Sequence, residues 1–136
     1  MVTFTNSVVI SKPLEQTYMV AEQYPKFVDF YKDREIINSD DYTSEVRVSS
    51  VFLGLKFIWK GMGIKERNKK LTWVQSEGLL SGMRAEWIFA AIPQGTNVTL
   101  QVTYDSKSPF WDKIASVIFI RKTVPKILQC LKVACE

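Results

Sequence analysis

The chain has 136 residues, 18 Lys and Arg against 14 Asp and Glu, a net charge of +4, 46% hydrophobic residues and no histidine. A chain of that size can bury roughly two-thirds of its unfolded surface without disulfide staples, so one domain over residues 1–136 is expected. Without histidine, Ser-His-Asp and Cys-His nucleophilic catalysis and most zinc and haem sites are excluded. No catalytic residue, metal ligand or cofactor is therefore expected.

Val2 to Ser11 alternates as a first strand, with Val2, Phe4, Val8 and Ile10 on one face and Thr3, Thr5 and Ser7 on the other. Lys12-Pro13-Leu14-Glu15 opens a helix with Ser11 as cap and Pro13 near the first position, and Leu14, Tyr18 and Ala21 share one face. Pro25 turns Tyr24 away from helical geometry and ends that helix. A second short helix is predicted from about Lys26 to Tyr31. Period-two patterning then predicts strands over Arg34–Asn38, Tyr42–Val51, Leu55–Glu66, Leu71–Glu77, Met83–Ile92 and Asn97–Asp105. Gly61 and Gly63 inside the third of these strands predict a bulge or sharp bend; no Lys-Ser/Thr follows to make a phosphate loop. Asn97-Val98-Thr99 has the form of a glycosylation sequon, which is read as chance.

Residues 108 to 134 predict a long closing helix, with Ser108 as cap, Pro109 at the first position and Asp112 in the first turn, the alternative being a buried strand over Val117-Ile118-Phe119-Ile120. Phe110, Ile114, Val117, Arg121, Val124, Leu128 and Leu131 recur at spacings of four and three as one face, interrupted only by Arg121. Pro125 cannot donate to the Arg121 carbonyl, so a kink or break is expected between those two residues. Cys130 and Cys135 stand about 140° apart around such a helix and cannot bond to each other. The expectation is a reduced, cytoplasmic protein: no signal peptide precedes the first strand and no apolar run is long enough to span a bilayer.

The order is strand, two helices, six strands, helix, with antiparallel alternation throughout. The fold class expected is α+β: a curved antiparallel sheet of about seven strands around the C-terminal helix, with a cavity left between them.

Tyr24-Pro25-Lys26-Phe27, Trp87-Ile88-Phe89 and Gly95-Thr96-Asn97-Val98-Thr99-Leu100 carry a resemblance to the SRPBCC (START-like, helix-grip) superfamily. The nearest likeness is to its polyketide cyclase/dehydrase-type group, which includes coenzyme-Q-binding and ribosome-association-toxin-like proteins. The chain departs from that group at Val20, where an acid is usual, and at Asp29-Phe30, which replaces a proline-tryptophan pair. The resemblance implies the helix-grip fold and a hydrophobic ligand such as a lipid, isoprenoid quinone or polyketide.

The pocket-lining candidates are Trp59, Trp73, Trp87, Phe89 and Tyr104 from the strands, with Val117, Arg121 and Val124 from the helix. Arg121 has two readings: its guanidinium snorkels to the rim, or it grips a ligand's acidic or carbonyl group inside. Glu77 and Glu86 are its candidate acidic partners, with Glu86 expected to face water beside Trp87. Lys65, Arg67, Lys69 and Lys70 cluster at a hairpin tip, either as a solvated turn or as a peripheral membrane or ribosome contact. No basic tail or block suggests a DNA partner, and nothing in the chain signals an oligomeric state. Three function classes stay open: a binding or carrier protein for a hydrophobic small molecule, which leads; a cyclase or dehydratase-type enzyme; and a ribosome- or RNA-associated interaction protein.

Overall fold

The computed structural model describes residues 2–23, 31–40, 42–52, 55–77, 82–104 and 110–136. In chain order they form β1 (Val2–Ile10), α1 (Leu14–Ala21), β2 (Tyr31–Ser39), β3 (Thr43–Phe52), β4 (Leu55–Glu66), β5 (Lys70–Glu77), β6 (Arg84–Ile92), β7 (Gly95–Tyr104) and α2 (Phe110–Cys135). The strands make one curved sheet in the order β1-β7-β6-β5-β4-β3-β2, and every neighbouring pair is antiparallel. β2 to β7 thus form a meander of hairpins, and β1 returns to close on β7.

Alternation places each strand's faces. Val98, Leu100, Val102 and Tyr104 of β7 are buried, while the residues between them are only partly covered. Register extends the same inner face to Ala85, Trp87 and Phe89 of β6 and to Val8 and Ile10 of β1. Onto it α2 brings Ile120, Val124, Ile127, Leu128 and Leu131, and α1 brings Tyr18 and Ala21. The helices pack mainly over β1, β6 and β7, and against each other. Each fully buried aliphatic side chain here contributes roughly 1.5–3 kcal/mol. The edge strand β1 is guarded by α2, whose Lys132 ammonium donates to the Val9 carbonyl at 3.1 Å.

Two close approaches fasten the β1 edge of the sheet to the rest. Gly95 has φ +140°, and a Cβ there would stand 3.0 Å from the Lys12 nitrogen and 3.1 Å from the Ser11 Cα, besides striking the Ile10 carbonyl. Glycine is therefore required at that turn. Beside it, the fully buried Thr96 donates its hydroxyl to the Lys12 carbonyl at 2.8 Å. The Gly-Thr pair thus pins the β6–β7 turn to the junction between β1 and α1.

Several expectations need correction. α1 begins at Leu14 with Pro13 in the cap position and no side-chain cap bond, so Ser11 does not cap it. The predicted second helix falls on residues outside the described ones, except for Tyr31, which begins β2. α2 runs through Pro125 without a break. Arg121 and Pro125 are both exposed, so water can satisfy the carbonyl that proline leaves without a partner, and the helix tolerates the loss. The buried face of α2 is also rotated from the one expected. Ile120 and Ile127 are buried, while Ile114 and Arg121 are exposed. A stripe of strict seven-residue period drifts about 20° per heptad around a straight helix, which carries its early members off the core side. The bulge expected at the glycines is present, as a register shift between Lys60 and Gly61 where β4 meets β5. Cys130 and Cys135 are both free thiols.

Candidate functional site

A cavity of about 50 Å³ opens beneath the C-terminal end of α1, where the sheet passes from β3 to β6. Ala21 and Glu22 form its roof, Val46, Gly63 and Leu71 its floor, and Trp73 and Trp87 its aromatic walls. Strand register brings these residues together. Trp73 pairs with Gly63 on one side and with Ala85 on the other, while Leu71 pairs with Trp87. Small residues flank Trp73 on both neighbouring strands and leave room for its ring.

Gly61 fixes where that ring lies. A Cβ on Gly61 would stand 2.6 Å from Trp73 Cε2 and 2.7 Å from the Val74 carbonyl oxygen, so the indole occupies space that only glycine leaves open. At the adjoining ring atom the Trp73 Nε1–H donates to Gln75 Oε1 at 2.7 Å, and both residues are buried. Trp73 is thus held by a glycine beneath it and a hydrogen bond beside it. This seat is rigid, apolar on the face and polar at one edge.

Tyr18 lies one turn before Ala21 on α1 and is 2% exposed, its ring meeting Phe89 edge-on at 5.4 Å between centroids. Its hydroxyl has no hydrogen-bond partner among the described residues. Burial, reinforced by the nearby Glu22 carboxylate and opposed by Arg67, pushes its pKa up to about 12. Asn68, at φ +61° in the β4–β5 hairpin tip, likewise keeps a buried Oδ1 without a partner. The hairpin tip approaches α1 through Arg67 and Glu15, 3.8 Å apart and both largely exposed.

The eight expected pocket residues separate into distinct places. Trp73 and Trp87 line the cavity. Phe89, Tyr104 and Val124 are buried in the core cluster around it. Trp59 is paired with Val48 in β4, and Val117 lies on α2; their side chains are outside the described ones. Arg121 is exposed, its guanidinium 5.8 Å from the centroid of the Phe4 ring at the β1 edge, a cation–π contact at the rim. The sequence reading did not select Ala21, Glu22, Val46, Gly63 or Leu71, because they become neighbours only through strand pairing. Tyr18 did carry a signal: it is a polar-tipped aromatic on the apolar face that Leu14, Tyr18 and Ala21 form on the first helix.

Charged groups on the outside are largely matched. Glu86 faces outward between Arg84 at 3.0 Å and Lys70 at 3.4 Å, and the Arg84 hydrogen bond is the main cause of its lowered pKa. Lys65 donates to the Asp40 carbonyl at 2.9 Å. Asp40 in turn closes the β2–β3 turn, accepting from the backbone N–H of Tyr42 at 2.8 Å and of Thr43 at 2.7 Å, which hold its carboxyl below its usual pKa. Of the four basic residues at the hairpin tip, Lys65, Arg67 and Lys70 therefore each have a carboxylate or carbonyl within reach. Among the described residues no group of three or more Cys, Asp or Glu is placed to hold a metal, and no helix is long and apolar enough to cross a membrane.

No protein-family model matches the sequence, and no curated protein is significantly similar to it. Solved structures do match. TTHA0849 from Thermus thermophilus superposes with a TM-score of 0.83 at 18% identity, over 98% of this chain and 97% of that one. The Zhui aromatase/cyclase from Streptomyces sp. R1128 gives 0.85 at 13% identity, over 98% and 93%. Ara h 8.0201 gives 0.75 at 15% identity, over 98% and 97%. At these identities what is shared is the fold, a helix-grip arrangement of curved antiparallel sheet and C-terminal helix.

Proposed function

We propose that this chain, a helix-grip protein by its fold, binds a hydrophobic small molecule between sheet and helices, with Trp73 and Trp87 against it. The observation that carries this reading is the Trp73 seat. An indole braced on Gly61 and bonded to Gln75 presents a fixed aromatic surface to an open cavity. A side chain that merely filled the core would have no open space beside it. The cavity volume of about 50 Å³ is well under the roughly 300 Å³ of a typical small-molecule site. It suits a ring edge or chain end. A flat polyketide, an isoprenoid quinone or a lipid chain has that shape. Ser44, Lys65, Thr72 and Glu22 also line the cavity and are the polar groups that would orient a ligand carbonyl or hydroxyl.

The test is native mass spectrometry, followed by organic extraction, of protein purified from its own host. A co-purifying apolar molecule that quenches tryptophan fluorescence on rebinding is the expected result, and Trp73→Leu should weaken that binding at least tenfold. Protein that emerges empty and binds neither the dye ANS nor any quinone or long-chain fatty acid has a filled interior, and the binding reading then fails.

A further inference from the structure

The chain's net positive charge resides on α2. It contains Lys113, Arg121, Lys122, Lys126 and Lys132 against the single acid Asp112. Removing the helix leaves 13 basic residues against 13 acids, so the remainder of the chain is neutral. The +4 of the whole protein is thus the charge of one helix.

That helix also presents apolar groups to water. Ile114, Ile118 and Val133 are 37%, 49% and 69% exposed, and Arg121, Lys122 and Lys126 are exposed with them. At about 100° per residue these positions fall on one arc, on the side away from the buried Ile120, Val124, Ile127 and Leu131. Taking Ile118 as the centre, Ile114 lies about 40° to one side and Arg121 about 60°; Lys122 lies about 40° to the other, Val133 about 60° and Lys126 about 80°. Exposed Ile114, Ile118 and Val133 share this arc with Arg121, Lys122 and Lys126, with Pro125 and Gln129 between them, which is a mixed apolar and cationic face of the kind a helix lying in a membrane interface presents. There the apolar side chains enter the acyl boundary, and long cationic ones reach back to the lipid phosphates.

We propose that the outer face of α2 is a docking surface for an anionic lipid bilayer. Charge complementarity selects the anionic partner, and the exposed isoleucines select lipid over nucleic acid, because a phosphate backbone alone has nothing to bury them against. The hairpin tip is the weaker candidate, since residues 65–70 present no exposed large hydrophobic side chain beside their cations. This surface is independent of the cavity: either can fail without the other.

The test is co-sedimentation of the full chain with vesicles of phosphatidylcholine alone and of phosphatidylcholine mixed with phosphatidylserine. Binding should require phosphatidylserine and should weaken as salt is raised. Reversing two exposed cations in K122E/K126E should lower the partition coefficient on the order of 100-fold or more, about fivefold for each unit of charge. Ile118→Asn should lower it several-fold, and Lys69→Glu on the hairpin should change it less than twofold. Far-UV circular dichroism and melting temperature should be unchanged, because all of these side chains are exposed. Absence of phosphatidylserine-dependent binding overturns the proposal. So does an equal loss in Lys69→Glu and K122E/K126E, which would mean a diffuse charge effect. A third contrary result is Ile118→Asn binding normally while single-stranded RNA competes for the same lysines, which would make the helix a nucleic-acid contact.

Discussion

Substituting Gly61 with alanine tests the seat of Trp73 directly. The added methyl would stand 2.6 Å from Trp73 Cε2 and 2.7 Å from the Val74 carbonyl oxygen, well inside contact distance, so either the indole or the strand must move. Overpacking of this kind costs roughly 1–3 kcal/mol. If the ring moves, its 2.7 Å bond to Gln75 is lost as well, which adds about 1 kcal/mol and leaves a buried amide oxygen short of its donor. The expected total is roughly 2–4 kcal/mol, read as a lower urea midpoint at unchanged m-value, with a red-shifted tryptophan emission. The displaced ring has only the cavity to enter, so ANS binding should fall with stability. A double-mutant cycle with Trp73→Leu separates the causes: the smaller side chain should relieve the ring overlap, giving a coupling of at least about 1 kcal/mol. The remaining cost belongs to the Val74 carbonyl. Gly61→Ala with wild-type stability and emission, or strictly additive effects in the cycle, would show that the indole does not rest on Gly61, and the seat argument would be lost.

Tyr18→Phe removes a buried hydroxyl that has no partner among the described residues, so the variant should be as stable as the parent or more so by up to about 1–2 kcal/mol, as measured by urea unfolding. The same hydroxyl ionises near pH 12 in the folded protein and near 10 when unfolded. Its contribution to stability is therefore complete below pH 10 and is lost between pH 10 and 12, by roughly 1–2 kcal/mol after allowance for solvent screening. An ultraviolet titration should show the last tyrosine step disappear in the variant. Thr96→Val keeps the shape but strips the Lys12 carbonyl of its 2.8 Å donor, which should cost roughly 1–3 kcal/mol in thermal or urea unfolding. Asp40→Ala should free the β2–β3 turn, seen as faster hydrogen exchange at the Tyr42 and Thr43 amides. In the parent the same loosening should appear only as pH falls through the lowered carboxyl pKa.

The sheet and its closing helix were legible in the sequence because their signals are local. Alternation such as Val98-Leu100-Val102-Tyr104 is set by the two-residue repeat of a strand, and it marks the buried face before any partner strand is known. The β4 limits, Leu55 to Glu66, follow from composition alone, as does the bulge at Gly61. A break between the strands ending at Ile92 and beginning at Asn97 was readable, but the close approach of Gly95 and Thr96 to Ile10 and Lys12, more than eighty residues away, was not.

What only the tertiary structure decided is which apolar residues line a space and which fill the core. Trp73, Trp87, Phe89 and Tyr104 share the same alternation and the same inner face, yet only the first two border the cavity. That distinction depends on where the C-terminal end of α1 sits above β3 to β6, a relation between elements distant in sequence, with no periodic trace in either. The same holds for Arg121. Its spacing put it among core positions, but the rotation of α2 is set by the summed fit of Ile120, Val124, Ile127, Leu128 and Leu131 against the sheet. A helix turns until its largest apolar area is covered, and a charge near the edge of the stripe is left at the water's side, here against Phe4.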